Sequence, residues 1–214
     1  MIGIVGGTGP EGIGLALRLA QAGERIIIGS RSEARGRAAA DKIKARLPQA
    51  YVRGAENAQA AREADLVIVT APYEGHRETL ASLRDHLAGK VVIDATAPLN
   101  LERRRVSVLP VEEGSAAQQA QALLPQARVV AALQTVPAAA LADLETPIDA
   151  DVVVCGDDSD AKQTVMVLAE KISGIRALDG GGLSNAHFLE ETTAIIITIN
   201  RIYKTESSIR FTGI

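Results

Sequence analysis

Short apolar runs alternate along this chain with longer stretches that are rich in alanine and charged residues and have a helical period. This alternation is typical of a parallel β-sheet covered by helices on both faces, a doubly wound α/β fold. The apolar runs predict strands at residues 2–5, 25–28, 50–53, 66–70, 91–94, 129–133, 152–154 and 176–178. The stretches between them predict helices at residues 12–22, 33–46, 57–63, 76–86, 115–124, 160–172 and 183–203.

Two regions interrupt the regular alternation. Residues 97–114 contain Pro98 and Pro110 and predict a long excursion between two core elements. Near residues 137–147 the alternation gives way to a second, short strand region and a hydrophobic final helix. We therefore expect a main α/β domain at residues 1–140 and a small C-terminal α/β domain at residues 141–214.

The predicted final helix is apolar on too many sides for a helix that meets solvent. Its isoleucines are Ile195, Ile196, Ile197, Ile199 and Ile202. Such a helix either packs beneath the sheet or lies in a subunit interface. We expect a homodimer or a higher homo-oligomer, because a dimer is the commonest closed arrangement.

A glycine-rich turn follows the first predicted strand at once. Gly7, Gly9 and Gly12 occupy the three glycine positions of the pattern G-x-G-x-x-G. The first glycine allows a tight turn, the second lets the backbone approach a pyrophosphate, and the third lets the helix press against the sheet. Thr8 can donate one more hydrogen bond to an anion at the helix N-terminus. Because a strand precedes this turn and a helix follows it, the pattern predicts a dinucleotide site rather than a turn that serves packing alone.

One residue of this turn carries a negative charge in water. Glu11 places a carboxyl group near the expected pyrophosphate. Its side chain either points away, as a favourable residue of the first helical turn, or weakens phosphate binding. We favour the first arrangement.

The end of the second predicted strand indicates which dinucleotide binds. NAD-selective sites carry an acid about 20 residues beyond the glycines, which accepts hydrogen bonds from the ribose 2′-hydroxyl. This chain has Gly29, Ser30, Arg31 and Ser32 there. Ser30 can donate to a 2′-phosphate, Arg31 can neutralise it and cover the adenine, and Arg35 can reach the same group. The segment predicts NADP, against the alternative that these arginines only form a solvated helix start.

Six segments resemble the family of coenzyme F420-dependent NADP oxidoreductases. They are GGTGPEGIGLALRLA at the start, IIIGSR at the second strand, VTAPYEGH after the fourth, VVAALQTVPAAAL in the middle, VVVCGDD, and LDGGGLSNAHFLEE near the end. The first two are shared with many dinucleotide enzymes, whereas the last two, in a chain of this length, are more specific. The resemblance covers essentially the whole chain. It implies a Rossmann domain, a small C-terminal domain, and a cleft in which nicotinamide and deazaflavin rings stack for direct hydride transfer.

The resemblance also implies which residues hold NADP. Thr8, Ser30, Arg31 and Arg35 match the ligands of its phosphates and adenine. Hydride transfer between two stacked rings depends on proximity and orientation more than on an acid or a base. A catalytic triad is therefore not expected.

The acceptor side is implied to lie against residues 132–137, among them Ala132, Gln134 and Val136, and against the turn at residues 181–185. The family is expected to have a histidine where this chain has Gln134. Glutamine keeps its hydrogen-bonding groups but cannot titrate or carry charge near neutral pH. Gln134 is thus a catalytic candidate. Because it replaces the expected histidine, the acceptor is a deazaflavin or, as an alternative, a flavin, a pterin or another flat heteroaromatic.

Two further groups are candidates for the nicotinamide and acceptor pockets. Pro72, Tyr73, Glu74 and His76 follow the fourth predicted strand, at the edge where open α/β sheets bind ligands. We expect Pro72 and Tyr73 to bind the cofactor, and we weigh His76 as a catalytic residue against a solvated residue that begins the next helix. His187, near the start of the final helix, is a second candidate for contact with the acceptor.

Two charged clusters have weaker functional interpretations. Residues 103–105 are three consecutive arginines, which either face solvent or recognise the acidic tail of a deazaflavin. Asp157 and Asp158 are interpreted as caps of the following helix rather than as metal ligands, because adjacent acids project in different directions. We expect no metal site.

Composition excludes several other functions. Hydrophobic residues make up 47% and charged residues 23% of the 214, as in globular proteins with a core. Aromatic residues are only 2% and the net charge is −3, so neither stacking platforms nor general attraction to phosphate backbones favours nucleic acid. Cys155, the single cysteine, is interpreted as a small buried hydrophobe, and its lack of a partner indicates a reducing cytoplasm. The apolar run at residues 194–199 is too short to span a membrane.

The leading hypothesis is a cytoplasmic oxidoreductase that exchanges hydride between NADP(H) and a deazaflavin. A second hypothesis is an NADPH-dependent reductase of a flavin, a pterin, or a metal through a flavin. A third is a non-catalytic NADP(H)-sensing module, which turnover distinguishes from both enzymes.

Overall fold

The computed structural model describes residues 1–103 and 105–214. The strands are β1 (Ile2–Val5), β2 (Ile26–Ser30), β3 (Val52–Glu56), β4 (Leu66–Val69), β5 (Val91–Asp94), β6 (Leu99–Leu101), β7 (Val106–Val108), β8 (Arg128–Ala131), β9 (Ala150–Gly156) and β10 (Ile175–Asp179). The α-helices are α1 (Pro10–Gln21), α2 (Glu33–Arg46), α3 (Asn57–Glu63), α4 (His76–Leu87), α5 (Ala116–Leu123), α6 (Ala138–Ala142), α7 (Ser159–Ala169) and α8 (Ala186–Tyr203). Single turns of 3₁₀ helix at Tyr73–Gly75 and Leu183–Asn185 precede α4 and α8.

Every predicted strand and helix is present, with small shifts at the ends. Three short elements were not predicted: β6, β7 and α6. The first two form an antiparallel hairpin within residues 97–114, the region predicted as an excursion. Elements of three to five residues are too short to show a hydrophobic period, so the sequence pattern does not reveal them.

Eight strands form one sheet in the order β10, β9, β8, β5, β4, β1, β2, β3. The six strands from β8 to β3 in this order are parallel. β9 runs antiparallel to β8 and pairs with it only near its end, where Cys155 lies opposite Ala131, and β10 is parallel to β9. The predicted Rossmann-like, doubly wound sheet is confirmed. The reversal at β9 was not predicted, because a buried strand has the same apolar pattern in either direction.

The hydrophobic core fills both faces of the sheet. On one face α1, α2, α6 and α7 bury apolar residues such as Leu15, Ile43 and Leu168 against the strands. On the other face α3, α4, α5 and the start of α8 do the same, with residues such as Leu83 and Leu189. Both faces are covered, so the functional groups are left at the edge formed by the carboxyl ends of the strands.

The final helix, α8, has a buried and an exposed side. Its inner side is buried at Leu189, Glu190, Thr193 and Ile196, among others. Its outer side leaves Phe188, Ile195, Ile199 and Ile202 exposed. The two predicted fates of this helix are therefore compatible, since one side packs on the sheet while the other remains available. None of the described helices combines the length and the apolar character that a membrane span requires.

Candidate active site

The glycine-rich turn is shaped by close approach of backbones. A Cβ atom at Gly12 would lie 2.5 Å from the Cα atom of Gly7, so α1 can press on the turn only if both positions lack a side chain. The turn is tied to its neighbours by two hydrogen bonds. The Gly7 N–H donates to the Gly29 carbonyl at 3.0 Å, and the Gly6 N–H donates to Asn57 Oδ1 at 3.1 Å. Asn57 was not singled out from the sequence.

Open space lies where a ligand would approach the turn. A Cβ atom at Gly9 would meet no atom within 4 Å. Gly9 is also the N-cap of α1, has no side-chain capping bond, and is followed by Pro10, which lacks an N–H group. The first turn of α1 therefore leaves backbone N–H groups without helical partners beside an open surface. This is the geometry that binds an anion at a helix N-terminus.

The residues predicted to read the 2′-phosphate lie beside this turn. β1 and β2 are parallel neighbours, so the end of β2 at Ser30 and the glycine turn share one edge of the sheet. Ser30 is buried, whereas Arg31 and Arg35 are exposed. Arg37, two residues further along α2, is instead paired with Glu33 at 2.6 Å. The strand end thus offers a buried hydroxyl and two guanidinium groups to a phosphate on one side of the glycine turn.

The segment after β4 also reaches this edge. Ala71 packs against the glycine turn, where a Cβ atom at Gly6 would lie 2.9 Å from its Cα atom. Pro72 is exposed and Tyr73 is half-buried, in the 3₁₀ turn that leads into α4. Both residues are thus placed where the sequence analysis expected a cofactor contact, on the side of the turn opposite Ser30.

His76 is not placed as the sequence analysis expected. It is fully buried, and both ring nitrogens have protein partners: Nε2 lies 2.6 Å from Asp94 Oδ2, and Nδ1 lies 3.1 Å from Gln119 Oε1. It therefore neither lines an open pocket nor begins the helix as a solvated residue. Tyr73, in the 3₁₀ turn before α4, stacks on the imidazole with the two ring centroids 6.0 Å apart.

A buried group of ionisable side chains surrounds His76. Burial lowers the pKa of His76, but the charge of Asp94 and the hydrogen bonds to Asp94 and Gln119 outweigh this effect and raise it overall. Burial raises the pKa of Glu190 to about 7, although its carboxylate accepts hydrogen bonds from the N–H groups of Ala116 and Ala117. Asp94, Gln119 and Glu190 were missed from the sequence. Only Asp94 had a visible signal, as a polar residue at the end of a buried strand.

The loop after β8 carries an unusual polar residue. Gln134 is 7% exposed, yet neither its amide nitrogen nor its amide oxygen has a hydrogen-bond partner. Its backbone carbonyl is held by the Thr193 hydroxyl of α8 at 3.2 Å. The preceding Leu133 has φ +79°, a strained value for a residue with a side chain, as often seen at functional sites. Because a buried amide without partners is costly, Gln134 marks a place for a polar ligand.

Two other residues predicted for the acceptor side face the core. Ala132 and Val136 are buried and belong to the main hydrophobic cluster. Their side chains do not line an open surface, so any contact with a ligand would use the backbone of this loop. The sequence could not separate these roles, because apolar residues fill both cores and ring pockets.

Glu11 has an environment that neither sequence-based alternative described. Its Oε1 atom is buried and has no hydrogen-bond partner. Burial raises the pKa of Glu11 to about 8. At neutral pH this carboxyl is therefore mostly protonated and adds little negative charge next to the glycine turn.

The C-terminal turn and its neighbours are held by internal hydrogen bonds. Asp158 caps α7 by accepting from the Ala161 N–H at 2.7 Å, as predicted. Asp157 instead accepts from the Leu183 N–H at 2.8 Å, which fixes the turn at residues 181–185. Cys155 is buried with its pKa raised to about 11 by burial, in agreement with its interpretation as a small hydrophobe.

His187 lies apart from the glycine turn. Its Nδ1 atom is 2.7 Å from the Ser184 carbonyl, and it borders a cavity of about 400 Å³ together with Glu190, Glu191 and the segment after β7. Arg103 and Arg105 are exposed beside the tip of the β6–β7 hairpin, whereas Arg104 is outside the described residues. In the described parts of the chain, no group of three or more His, Cys, Asp and Glu side chains could hold a metal ion.

A slightly larger cavity, of about 440 Å³, lies at the opposite edge of the sheet. It is lined by residues at the amino ends of β1 and β4, including Ile2 and Leu66, and by α7. Open α/β sheets bind their ligands at the carboxyl ends of the strands. We therefore assign the cofactor to the glycine-turn edge and not to this cavity.

Comparison with known proteins agrees with this geometry. The family model described as NADP oxidoreductase coenzyme F420-dependent matches residues 1–98. The chain is 43% identical over 205 residues to the F420-dependent NADP reductase of Methanothermobacter marburgensis, spanning 93% of this chain and 92% of that protein. It is 41% identical over 220 residues to the F420-dependent NADP reductase of Methanocaldococcus jannaschii, spanning 100% and 98%. This chain belongs to the family of coenzyme F420-dependent NADP oxidoreductases.

The fold of this chain also matches that of a solved structure over nearly its whole length. The crystal structure of a protein from Arthrobacter sp. FB24, described provisionally as an F420-dependent NADP reductase, superposes with a TM-score of 0.81 at 28% identity. The superposition covers 98% of this chain and 99% of that one. The chain is therefore an NADP-dependent oxidoreductase of this family, and the open Gly9 surface and the exposed Arg31 and Arg35 fit the dinucleotide.

Proposed function

We propose that this enzyme transfers a hydride between NADP(H) and coenzyme F420. The assignment of the electron acceptor depends on Gln134. Its buried side-chain amide has an NH₂ group and an oxygen atom that both lack hydrogen-bond partners. A flat heterocycle with adjacent carbonyl and N–H groups can satisfy both of them. The similarity to F420-dependent NADP reductases over nearly the whole chain supports the same acceptor.

On the dinucleotide side, the backbone of Gly7, Thr8, Gly9 and Gly12 would hold the pyrophosphate at the N-terminus of α1. Ser30, Arg31 and Arg35 would hold the 2′-phosphate and the adenine. When bound, the nicotinamide ring supplies or accepts the hydride. Pro72 and Tyr73 would limit the movement of that ring. The protein contributes proximity, orientation and exclusion of water rather than an acid or a base.

We further propose that residues 1–140 bind the dinucleotide and that residues 141–214 complete the acceptor cleft. The role of residues 141–214 in the cleft is supported by Thr193 of α8, whose hydroxyl donates to the backbone carbonyl of Gln134 across the proposed boundary. The exposed arginines at the β6–β7 hairpin, Arg103 and Arg105, are proposed to attract the acidic tail of the deazaflavin. The single buried cysteine is consistent with a cytoplasmic location.

We also propose a homodimer formed by the outer side of α8. Phe188, Ile195 and Ile202 are spaced by seven residues and are 58%, 60% and 67% exposed. Because the first and last are equally distant from Ile195, two antiparallel copies of the helix can place Phe188 of one copy opposite Ile202 of the other. Exposed apolar patches of this kind commonly mark protein–protein contacts.

A second candidate function rests on the same glutamine. If a flavin or a pterin is the acceptor, Gln134 can still pair with its carbonyl and N–H edge, although the family is expected to carry a histidine there. This alternative differs from the first only in the acceptor. A sensor role would require tight NADPH binding without turnover.

The test is an absorbance assay with NADPH and oxidised coenzyme F420, followed by a flavin, with NADH as the control cofactor. Rapid bleaching of the deazaflavin is the expected result. Bleaching of the flavin alone would identify the second candidate, and tight NADPH binding without reduction of any acceptor would indicate a sensor.

Cofactor selection is tested by the double variant Ser30→Asp, Arg31→Ala. It should weaken NADPH binding by about 1–3 kcal/mol and affect NADH much less, because only NADPH carries the 2′-phosphate. Arg37→Ala is the matched control, since that arginine lies only six residues after Arg31, in α2, but is paired with Glu33. Equal losses for NADPH and NADH, measured by fluorescence titration, would contradict the assignment.

A further inference from the structure

Helix α1 lies along α6, and the contacts between them show in which direction each runs. At Gly14, a Cβ atom would lie 2.6 Å from Leu141 Cβ and 3.3 Å from the Ala138 carbonyl oxygen. Further along α1, Arg18 donates to the Thr146 carbonyl and Gln21 donates to the Leu144 carbonyl, and both carbonyls lie beyond Leu141 in the chain. The two helices therefore run in the same direction.

This parallel alignment gives the position of Glu11. It lies one helical turn before Gly14 on the same face of α1. It is therefore level with the residues just before α6, the loop that contains Gln134. Glu11 Oε1 and both amide atoms of Gln134 are the buried side-chain polar atoms without a hydrogen-bond partner among the described residues. From this alignment we infer that these atoms face one recess beside the N-terminus of α1.

The loop and α6 bring no basic side chain to this recess, so only the backbone N–H groups at the start of α1 would favour a carboxylate there. Residues 133–142, which form the loop and α6, include no ionisable side chain. On α1 itself, Arg18 lies two turns away and donates its hydrogen bonds to four backbone carbonyl groups after residue 139. Asp143, beyond the end of α6, lies near Arg18 and is itself an acid. Burial of the side chain raises the pKa of Glu11 to about 8.

NADP would bring several negative charges to the same helix N-terminus. An ionised Glu11 would repel these charges, whereas a protonated one can donate a hydrogen bond to an oxygen of the ligand. We propose that Glu11 binds NADP(H) as a neutral carboxylic acid, so that binding at alkaline pH takes up one proton at this side chain. The carboxylate gains this proton from solvent when the dinucleotide binds and returns it when the dinucleotide leaves. The inference rests on the NADP site of the proposed function.

The first test is the pH dependence of NADP⁺ affinity, measured by fluorescence titration of the full-length protein. For the native protein, affinity should be constant at neutral pH and should fall about tenfold for each pH unit above about 8. Glu11→Gln keeps an uncharged hydrogen-bond donor. Its affinity should match that of the native protein at neutral pH and should stay nearly constant at alkaline pH. Glu33→Gln, which removes an exposed acid from the first turn of α2, should keep the native profile.

The second test measures the proton directly. Calorimetric titration with NADP⁺ in buffers of different ionisation enthalpy, at a pH of about 9, should show uptake of close to one proton by the native protein. The ionisation of the 2′-phosphate lies near pH ~6 and does not contribute in this range. Glu11→Gln should show no uptake. The proton uptake of the native protein tests the proposal even if the variant does not fold.

Two results would overturn the inference. One is NADP⁺ binding to the native protein without proton uptake and with a flat pH profile. The other is a large loss of affinity in Glu11→Gln at neutral pH, which would mean that the carboxylate itself is needed. Neither result would contradict the proposed electron acceptor, since coenzyme F420 is absent from both tests. If the native protein failed to bind NADP⁺ at any pH, that result would instead contradict the proposed function.

Discussion

The ionisable side chains at the carboxyl edge of the sheet differ in whether the fold supplies a partner. His76 is buried with Asp94 and Gln119 on its two ring nitrogens. Arg31 and Arg35 stay exposed, where a phosphate can reach them. Burial without a partner is costly, so a buried charge that is paired is structural, whereas an exposed cation at this edge is available for binding. His76, a catalytic candidate from the sequence, is thus a structural residue that supports the fold beneath Tyr73.

The pairing of His76 with Asp94 predicts a pH-dependent stability. Asp94→Ala should lower the free energy of unfolding by about 3–5 kcal/mol near pH ~6, because it leaves a buried imidazolium without its partner. The folded-state pKa of His76 is raised, so its stabilising contribution is complete below the ordinary pKa of histidine and is lost as pH rises through the folded value. The loss in Asp94→Ala should therefore be smaller near pH ~8. Urea unfolding at the two pH values measures both quantities.

Asp94→Asn serves as the matched control, since its amide oxygen can still accept from the Thr96 N–H and its amide nitrogen can donate to Nε2 of a neutral His76, without a charge to pair with the imidazolium. It should cost less than Asp94→Ala at either pH, and most of its cost should appear at the lower pH. A destabilisation that does not change with pH would show that the charge of Asp94 does not support His76.

The contact of α1 with α6 positions the loop that carries Gln134. Arg18 is only 2% exposed and donates to the carbonyl groups of Ala140, Leu141, Asp143 and Thr146. A helix of five residues has little stability of its own, so it depends on such contacts. The first helix thus connects two parts of the site, with the pyrophosphate at its N-terminus and the acceptor loop along its side.

Removal of this guanidinium should destabilise the protein and disturb the acceptor loop. Arg18→Met should cost about 3 kcal/mol, because several buried carbonyl groups lose their donor. Its KM for the acceptor should rise more than its KM for NADPH. Arg37→Met, on the exposed side of α2, should change stability by less than about 0.5 kcal/mol. Denaturant unfolding and steady-state kinetics give these values, and equal behaviour of the two variants would exclude a special role for Arg18.

Considered as a whole, the molecule leaves one large part of its apolar surface uncovered. The outer side of α8 is exposed although its inner side packs on the sheet. The β6–β7 hairpin packs next to this helix, where Arg201 donates to the Glu102 carbonyl at 2.7 Å. Association of two copies would remove the apolar side of α8 from water and would stabilise the helix that holds Gln134 through Thr193.

The proposed dimer is tested by Ile195→Glu, which places a charge at the centre of the apolar side. The native protein should sediment as a dimer and the variant as a monomer with unchanged circular dichroism. Val167→Glu is the control, because Val167 is also a β-branched apolar residue and is 50% exposed but lies on α7. A dimer that survives Ile195→Glu, or a native protein that is monomeric, would contradict the proposal.

Much of the fold and part of the site follow from local patterns. The eight strands of the main sheet, the longer helices, the glycine turn and the basic end of β2 were all predicted, because each is encoded by residues close together in the chain. The partners of His76 could not be predicted, since Asp94 and Gln119 are 18 and 43 residues away from it. The core positions of Ala132 and Val136 were also missed, because an apolar side chain does not indicate which buried space it fills.

The sequence alone therefore determined the alternation of strands and helices, the dinucleotide turn, the preference for NADP and the family resemblance. Hydrophobic period and backbone freedom act over a few residues and can be recognised without a structure. The tertiary structure decided the reversal of β9, the burial of His76, and the burial of Glu11 and Gln134 polar atoms without partners. Burial and pairing depend on groups that distant parts of the chain bring together, so the charge state of each ionisable side chain is set only once the fold is complete.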